Sequence, residues 1–255
     1  MSLLKKLKSK PSHLLSIYTS AGYPELNSLP QVLEALEESG VDFVEVGIPY
    51  SDPLSDGPTI QNSSARALDN GISLDLIFQQ LETRASKVPI VLMGYFNSLL
   101  QYGIEPFCQK CESLQIEAAI IPDLPIEYYL DRYKKVFNRY GLHNIFLITP
   151  ETSEARIRWI DQHSTGFIYV VSSSSTTGKN SGIQGAETYL KRISNMHLAH
   201  PTLVGFNVST PRDVSFANKY ANGCIIGSAF IKQLKSAEPL QKLIPEFIWY
   251  GDLNF

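Results

Sequence analysis

Cysteine is scarce in this chain, with three in 255 residues, too few for a disulfide framework. Two of them, Cys108 and Cys111, form a lone CxxC within FCQKCESL. There is no second such pair, and none of the five histidines lies close in sequence. A zinc site would lack half its ligands, so the pair reads as two cysteines sharing a helix face. An excess of one charge is also missing. Lys and Arg number 22 against 25 Asp and Glu, a net charge of −3, which gives no broad footprint for nucleic acid. No apolar run approaches the roughly 18 residues of a membrane helix. The basic start MSLLKKLKSK has no continuous apolar stretch to make it a signal peptide. Leu3, Leu4 and Leu7 instead share one helical face, which predicts a short amphipathic lid helix, a membrane-surface anchor being the alternative. The expectation is a soluble, cytoplasmic protein with no nucleic-acid or membrane partner.

Apolar residues, by contrast, are plentiful. Hydrophobic residues make up 44% of the chain, enough for a sizeable core. Short apolar runs recur at 14–19, 42–46, 89–93, 118–122, 144–148, 167–171, 202–206 and 223–227. They are mostly apolar rather than alternating, the pattern of strands covered on both faces. Helix-period segments lie between them, such as SLPQVLEALEESG, with Ser28 as its expected cap and Gly40 as its stop. Strand–helix alternation implies parallel β-structure with right-handed crossovers. Eight such units in this length match a closed (β/α)8 TIM barrel, an α/β fold, with the N-terminal helix as an extra element. No G-x-G-x-x-G follows the first strand to support an open dinucleotide-binding sheet. No linker marks a boundary, so residues 1–255 are expected to form one domain. In such a barrel the chemistry belongs at the C-terminal ends of the strands.

The most informative stretch is VDFVEVGIPYSDPLSDGPTIQNSSARAL, residues 41–68. Glu45 interrupts the second strand where a buried strand would carry Val or Ile. An unpaired buried carboxylate is expensive, so Glu45 either has a partner or works with a raised pKa. The loop after it holds Asp52 and Asp56 among Pro49, Pro53 and Pro58, which makes it stiff. A second acid at the mouth beside Glu45 suits paired acid/base work. A buried ion pair with two aspartate turns remains the alternative from composition alone.

VEVGIPYSDPLSDGPTIQ resembles the signature of the tryptophan synthase α chain family. SIYTSAGYP, PIVLMGYFN, IIPDLPIE, YVVSSSSTTG and GCIIGSAFIK resemble its first, third, fourth, sixth and eighth strands with their loops, so the likeness runs through nearly the whole chain. The resemblance implies retro-aldol cleavage of indole-3-glycerol phosphate, a small phosphate-bearing substrate, to indole and glyceraldehyde 3-phosphate. It implies that Glu45 is the acid/base that moves a proton between the substrate's side-chain hydroxyl and indole C3. Asp56 is implied as the carboxylate facing the indole N–H. Tyr169 and Tyr95 match pocket tyrosines, while Ile17, Met93 and Ile120 would wall the indole site. Thr177 matches a threonine of a closing loop, and Gly178 would offer its N–H to phosphate. Gly227 and Ser228 open a helix after the eighth strand, where free N–H groups and the helix dipole favour phosphate.

The same resemblance implies an α2β2 assembly with a β chain that consumes the indole. Asp52, Pro49 and Pro53 would be at that interface. Pyridoxal phosphate would sit on the β partner, with no cofactor and no metal on this chain. Two departures stand out. Ser173 and Ser175 replace the loop arginine and glycine usual in the family, and Asn207 replaces a glycine in the turn after the seventh strand. These leave open a second role, a catalytically weak α subunit that mainly activates β. A different phosphate-binding barrel would leave the Glu45–Asp56 match unexplained.

Overall fold

The computed structural model describes residues 2–54, 56–172 and 182–234. Its core is a closed barrel of eight parallel strands in sequential order. These are β1 (Leu14–Ser20), β2 (Phe43–Gly47), β3 (Ile90–Met93), β4 (Ala118–Ile120), β5 (His143–Ile148), β6 (Ile168–Val171), β7 (Thr202–Gly205) and β8 (Gly223–Ile226). Closure comes from pairing of β1 with β8, Leu14 opposite Gly223 and Ile17 opposite Ile226. Each strand falls within a residue or two of an apolar run read from the sequence, because a strand covered by side chains within and helices without must be apolar on both faces. A glycine at 223 is a steric requirement, since a β-carbon there would lie 2.2 Å from the Leu14 carbonyl oxygen.

Two apolar layers follow from the alternation of side chains along each strand. The inner layer fills the barrel with Phe43, Val91, Ala118, Ile145, Phe167, Leu203 and Ile225, the Phe43 and Phe167 rings meeting at 5.6 Å. The outer layer packs the other strand faces against helices such as α2 (Leu29–Glu38) and α3 (Pro58–Asp69). Cys108 and Cys111 belong to it. Both are buried on one face of the helix Ile104–Ser113, and burial pushes their thiols upward in pKa, so they act as small apolar side chains.

Helix α1 (Leu3–Ser9) forms as the leucine spacing requires, but at the end of the barrel away from the strand C-termini. Leu3 and Leu7 enter the inner layer beside Leu14 and Phe43, a burial that contributes about 3–6 kcal/mol for the pair. The helix is tied to residues that precede strands. Leu4 N–H donates to Glu117, and Lys6 and Lys10 both pair with the buried carboxylate of Asp42. It is therefore a plug for the bottom rather than a lid for the mouth, and its apolar face is spent inside the protein. Ser28 also departs from expectation. It has helical dihedrals, and its hydroxyl donates back to the carbonyls of Tyr23 and Glu25 at 2.9 and 2.8 Å rather than capping α2. Gly40 does end that helix, at φ 79°. Among the described residues, no helix is long and apolar enough to cross a membrane.

Candidate active site

Glu45 is fully buried near the end of β2, between Tyr18 on β1 and Val91 on β3 in the pairing register. The strand pattern puts it on the inner face, two residues beyond Phe43. Neither carboxyl oxygen has a hydrogen-bond partner among the described residues. Burial therefore disfavours the ionised form with nothing to offset it, and the pKa is pushed up to about 8. Near neutrality this carboxyl is protonated and can give a proton away.

Asp56 occupies a different environment. It lies in the loop between β2 and α3, half-buried, and its Oδ2 accepts a hydrogen bond from Tyr95 Oη at 3.0 Å. Burial raises its pKa, while the Tyr95 bond works the other way by favouring the carboxylate. The loop is fixed from both sides. Gln61 of α3 donates to the Asp56 carbonyl at 2.8 Å, and Tyr95 stacks on Tyr50 with ring centroids 5.1 Å apart. One acid without a donor and one acid with a donor is the division that separates proton transfer from charge stabilisation.

A cavity opens at this end of the barrel, lined by Tyr18, Ile48, Tyr50, Asp56, Ser64, Met93, Gly94, Tyr95 and Pro122. Tyr169, on β6, is buried close enough to Glu45 for burial first and that carboxyl second to hold its hydroxyl in the neutral form. Tyr18 and Tyr169 each set the hydroxyl end of the ring against a glycine. A β-carbon on Gly47 would come within 2.1 Å of Tyr18 Oη, and one on Gly205 within 2.0 Å of Tyr169 Oη. Ile120 belongs to the inner layer with Tyr169, and Met93 touches both layers. Ile17 does not line the site. It packs in the outer layer against the helices, because residues 16, 18 and 20 take the inner face of β1. Tyr18 is the residue that the sequence reading missed: it stands opposite Glu45 in the β1–β2 register, and only that pairing shows which face of β1 it takes.

The turns after β7 and β8 lie at the same end of the barrel. Gly227 caps the helix Ser228–Gln233, with Ser228 exposed and the Tyr18 side chain at ordinary contact distance from where a Gly227 β-carbon would be. Phe206 and Asn207 both have positive φ, 66° and 54°, an arrangement that asparagine tolerates better than most residues. Asn207 is exposed, and the turn is braced by Ser172 Oγ, which donates to the Phe206 carbonyl at 2.7 Å. Thr177, Gly178, Ser173 and Ser175 lie outside the described residues.

Of the three residues expected at a partner surface, Asp52 is exposed and Pro53 half-buried, but Pro49 is buried where the chain leaves β2. It shapes the exit of the strand and presents no face to a partner. Leu54, beside them, is 82% exposed. Leu100 and Tyr128 are also exposed, and contacts join the three regions, Tyr50 to Asn97 and Phe96 to Tyr128. The exposure of these three apolar side chains is a signal that only the folded chain reveals.

Comparison with known proteins adds an independent line. A family model described as tryptophan synthase alpha chain matches residues 4–247. A tryptophan synthase alpha chain from Flavobacterium johnsoniae is 52% identical over 240 residues, covering 93% of this chain and 95% of the relative. Among solved structures, the tryptophan synthase subunit alpha of Campylobacter jejuni superposes with a TM-score of 0.85 at 31% identity, over 95% of this chain and 96% of that one. A chain from a tryptophan synthase structure of M. tuberculosis, in its aminoacrylate-bound form, gives 0.83 at 28% identity over 98% and 97%.

Proposed function

We propose a reaction for this site from its lineage: the chain belongs to the tryptophan synthase alpha chain family and is a lyase of the tryptophan synthase type. The reaction is retro-aldol cleavage of indole-3-glycerol phosphate. Glu45, protonated at rest, delivers its proton to indole C3. Asp56, ionised, accepts a hydrogen bond from the ring N–H and stabilises the positive charge that forms there. The bond between C3 and the side chain then breaks, its electrons return to the ring, and Glu45 takes the proton of the adjacent hydroxyl as that carbon becomes the aldehyde of glyceraldehyde 3-phosphate. Indole leaves and Glu45 is protonated again.

The observation that supports this most is the unlike condition of the two acids: Glu45 fully buried without a partner, Asp56 held by Tyr95. Gly227, Ser228 and Asn207 would meet the phosphate, where the first amides of a helix have no intrahelical acceptor. Steady-state cleavage by the wild type and by Glu45→Gln tests the assignment. The variant keeps the shape of the side chain and loses its exchangeable proton, so turnover should fall by at least about 100-fold. Near-native cleavage by Glu45→Gln would remove Glu45 from the mechanism.

The indole is passed on, in this reading, to a β chain that carries the pyridoxal phosphate, docked against Asp52, Pro53 and the exposed Leu54, Leu100 and Tyr128 in an α2β2 assembly. One observation favours a second role, as a slow subunit that chiefly activates β. Asn207 puts a side chain at a left-handed position of the phosphate turn, where glycine would leave the backbone open to a ligand.

A further inference from the structure

Three buried hydroxyls run from the cavity into α3, and their order fixes where each proton points. Ser63 Oγ lies 2.8 Å from the Ile60 carbonyl oxygen, which can only accept, so the one hydroxyl proton of Ser63 is spent there. Ser20 Oγ lies 2.7 Å from Ser63 Oγ, and with the Ser63 proton committed, Ser20 must be the donor of that bond. Tyr18 Oη lies 3.4 Å from Ser20 Oγ. The Ser20 proton being spent in turn, Tyr18 is the donor here. Ser20 and Ser63 are both excluded from solvent, so water does not compete for either end. The Tyr18 hydroxyl thus turns its proton away from the site and its lone pairs toward the cavity it lines with Asp56, Met93 and Tyr95.

Building on the reaction proposed above, we infer that Tyr18 stabilises the cationic ring formed on C3 protonation, as the negative end of a fixed phenol dipole, and that Ser63 is the positioning residue that fixes it. A hydroxyl free to rotate would turn its proton to the carboxylate of Asp56 and present its positive end to the site. The Ser63–Ile60 anchor prevents this, two side chains away from the substrate. A dipole set before the reaction costs no reorganisation when the charge appears. The neutral ground-state ring gains little from it, so the effect belongs to turnover and not to binding. Gly47 is part of the same device, because any β-carbon there would displace Tyr18 Oη.

A double-mutant cycle on cleavage of indole-3-glycerol phosphate tests the inference. Tyr18→Phe removes the dipole, and kcat should fall about 10-fold while KM moves less than about 2-fold. Ser63→Ala, a change that helix α3 tolerates, frees Ser20 to reverse its bond to Tyr18. Its kcat should fall about 3-fold with Tyr18 present and not at all in the Tyr18→Phe background, since Ser63 acts only through Tyr18. Thermal unfolding of each variant checks that the barrel is intact. Equal losses from Ser63→Ala in both backgrounds, or a Tyr18→Phe enzyme with unchanged kcat, overturns the inference. Glu45→Gln is assayed alongside. A wild type that does not cleave, or a Glu45→Gln that does, defeats the reaction itself and this inference with it. A cleaving wild type, an inactive Glu45→Gln and an unaltered Tyr18→Phe defeat only the role of Tyr18.

Discussion

Tyr95 donates its phenolic proton to Asp56 across 3.0 Å, while Glu45 receives no hydrogen bond from any described residue. That single bond separates the two acids. It favours the ionised form of Asp56 against the burial that opposes it. Tyr95→Phe keeps the stacking surface on Tyr50 and deletes the donor, so the Asp56 pKa should rise. Because the proposed reaction needs Asp56 ionised, the acidic limb of the kcat profile should move to higher pH in this variant. An acidic limb in the same place as in the wild type would mean that Asp56 does not govern it.

In the proposed reaction the alkaline limb belongs to Glu45. Its carboxyl must be protonated to give a proton to C3, and its pKa in the folded chain is about 8. kcat/KM reports the free enzyme, so it should hold level between the acidic limb set by Asp56 and that pH, and then fall about tenfold per unit above it. A profile that rises through pH 8 would assign Glu45 the opposite starting state.

The same burial makes stability depend on pH. The pKa of Glu45 is raised from an ordinary 4.5 to about 8 by folding. Below the lower value the group is protonated in both states, and above the higher value it is ionised in both. Between them the folded chain holds the extra proton, so stability falls as pH rises across this window, by on the order of 5 kcal/mol. Glu45→Gln carries no such proton. Denaturant unfolding should therefore show the variant gaining on the wild type from about pH 5 to about pH 8. A constant difference between the two proteins over that range would rule out the buried, unpartnered carboxyl as the source.

How much of this was legible beforehand depends on what a strand's composition can encode. The eight apolar runs located every strand, and Glu45 announced itself as the polar residue in a buried one. Facing was harder. LLSIYT is apolar on both sides of the barrel wall, so nothing in its composition tells Ile17 from Tyr18, and only pairing with β2 sets the phase. The leucines of α1 gave the helix but not the end of the barrel it plugs, because the anchoring carboxylates Asp42 and Glu117 are remote in sequence. Ser28 has the composition of a cap, yet its hydroxyl is claimed by the carbonyls of Tyr23 and Glu25.

The partner surface is tested by the loop that follows Glu45. Asp52 is exposed and holds Ser51 Oγ at 2.5 Å, next to the exposed Leu54. Asp52→Ala and Leu54→Ala should each leave cleavage by the isolated chain within about 2-fold, as surface changes away from the carboxyl pair do. Leu54→Ala should weaken β binding more, since a well-buried apolar side chain at an interface contributes about 1.5–3 kcal/mol. Titration of each variant against a β chain, read as activation of the β reaction, gives the answer. Curves that overlie the wild type would move the docking surface elsewhere.

Asn207 decides between a working lyase and a subunit that mainly activates. Its φ of 54° follows another positive φ at Phe206, and the Ser172 bond to the Phe206 carbonyl holds the turn in that shape. Asn207→Gly relieves the left-handed strain but loosens the unfolded chain, and the two effects offset to within about 1 kcal/mol in stability. Binding has no such offset. With the side chain gone, the backbone amides of the turn can approach a phosphate closely, and one regained hydrogen bond to a charged group is worth about 1.5–3 kcal/mol, roughly 10- to 150-fold in affinity. Calorimetric titration with an indole-3-alkyl phosphate should therefore show tighter binding by the glycine variant, with faster cleavage of the substrate following it. Unchanged or weaker binding would mean that the Asn207 amide itself serves the phosphate. The strongest structural argument for a slow α subunit would then be gone.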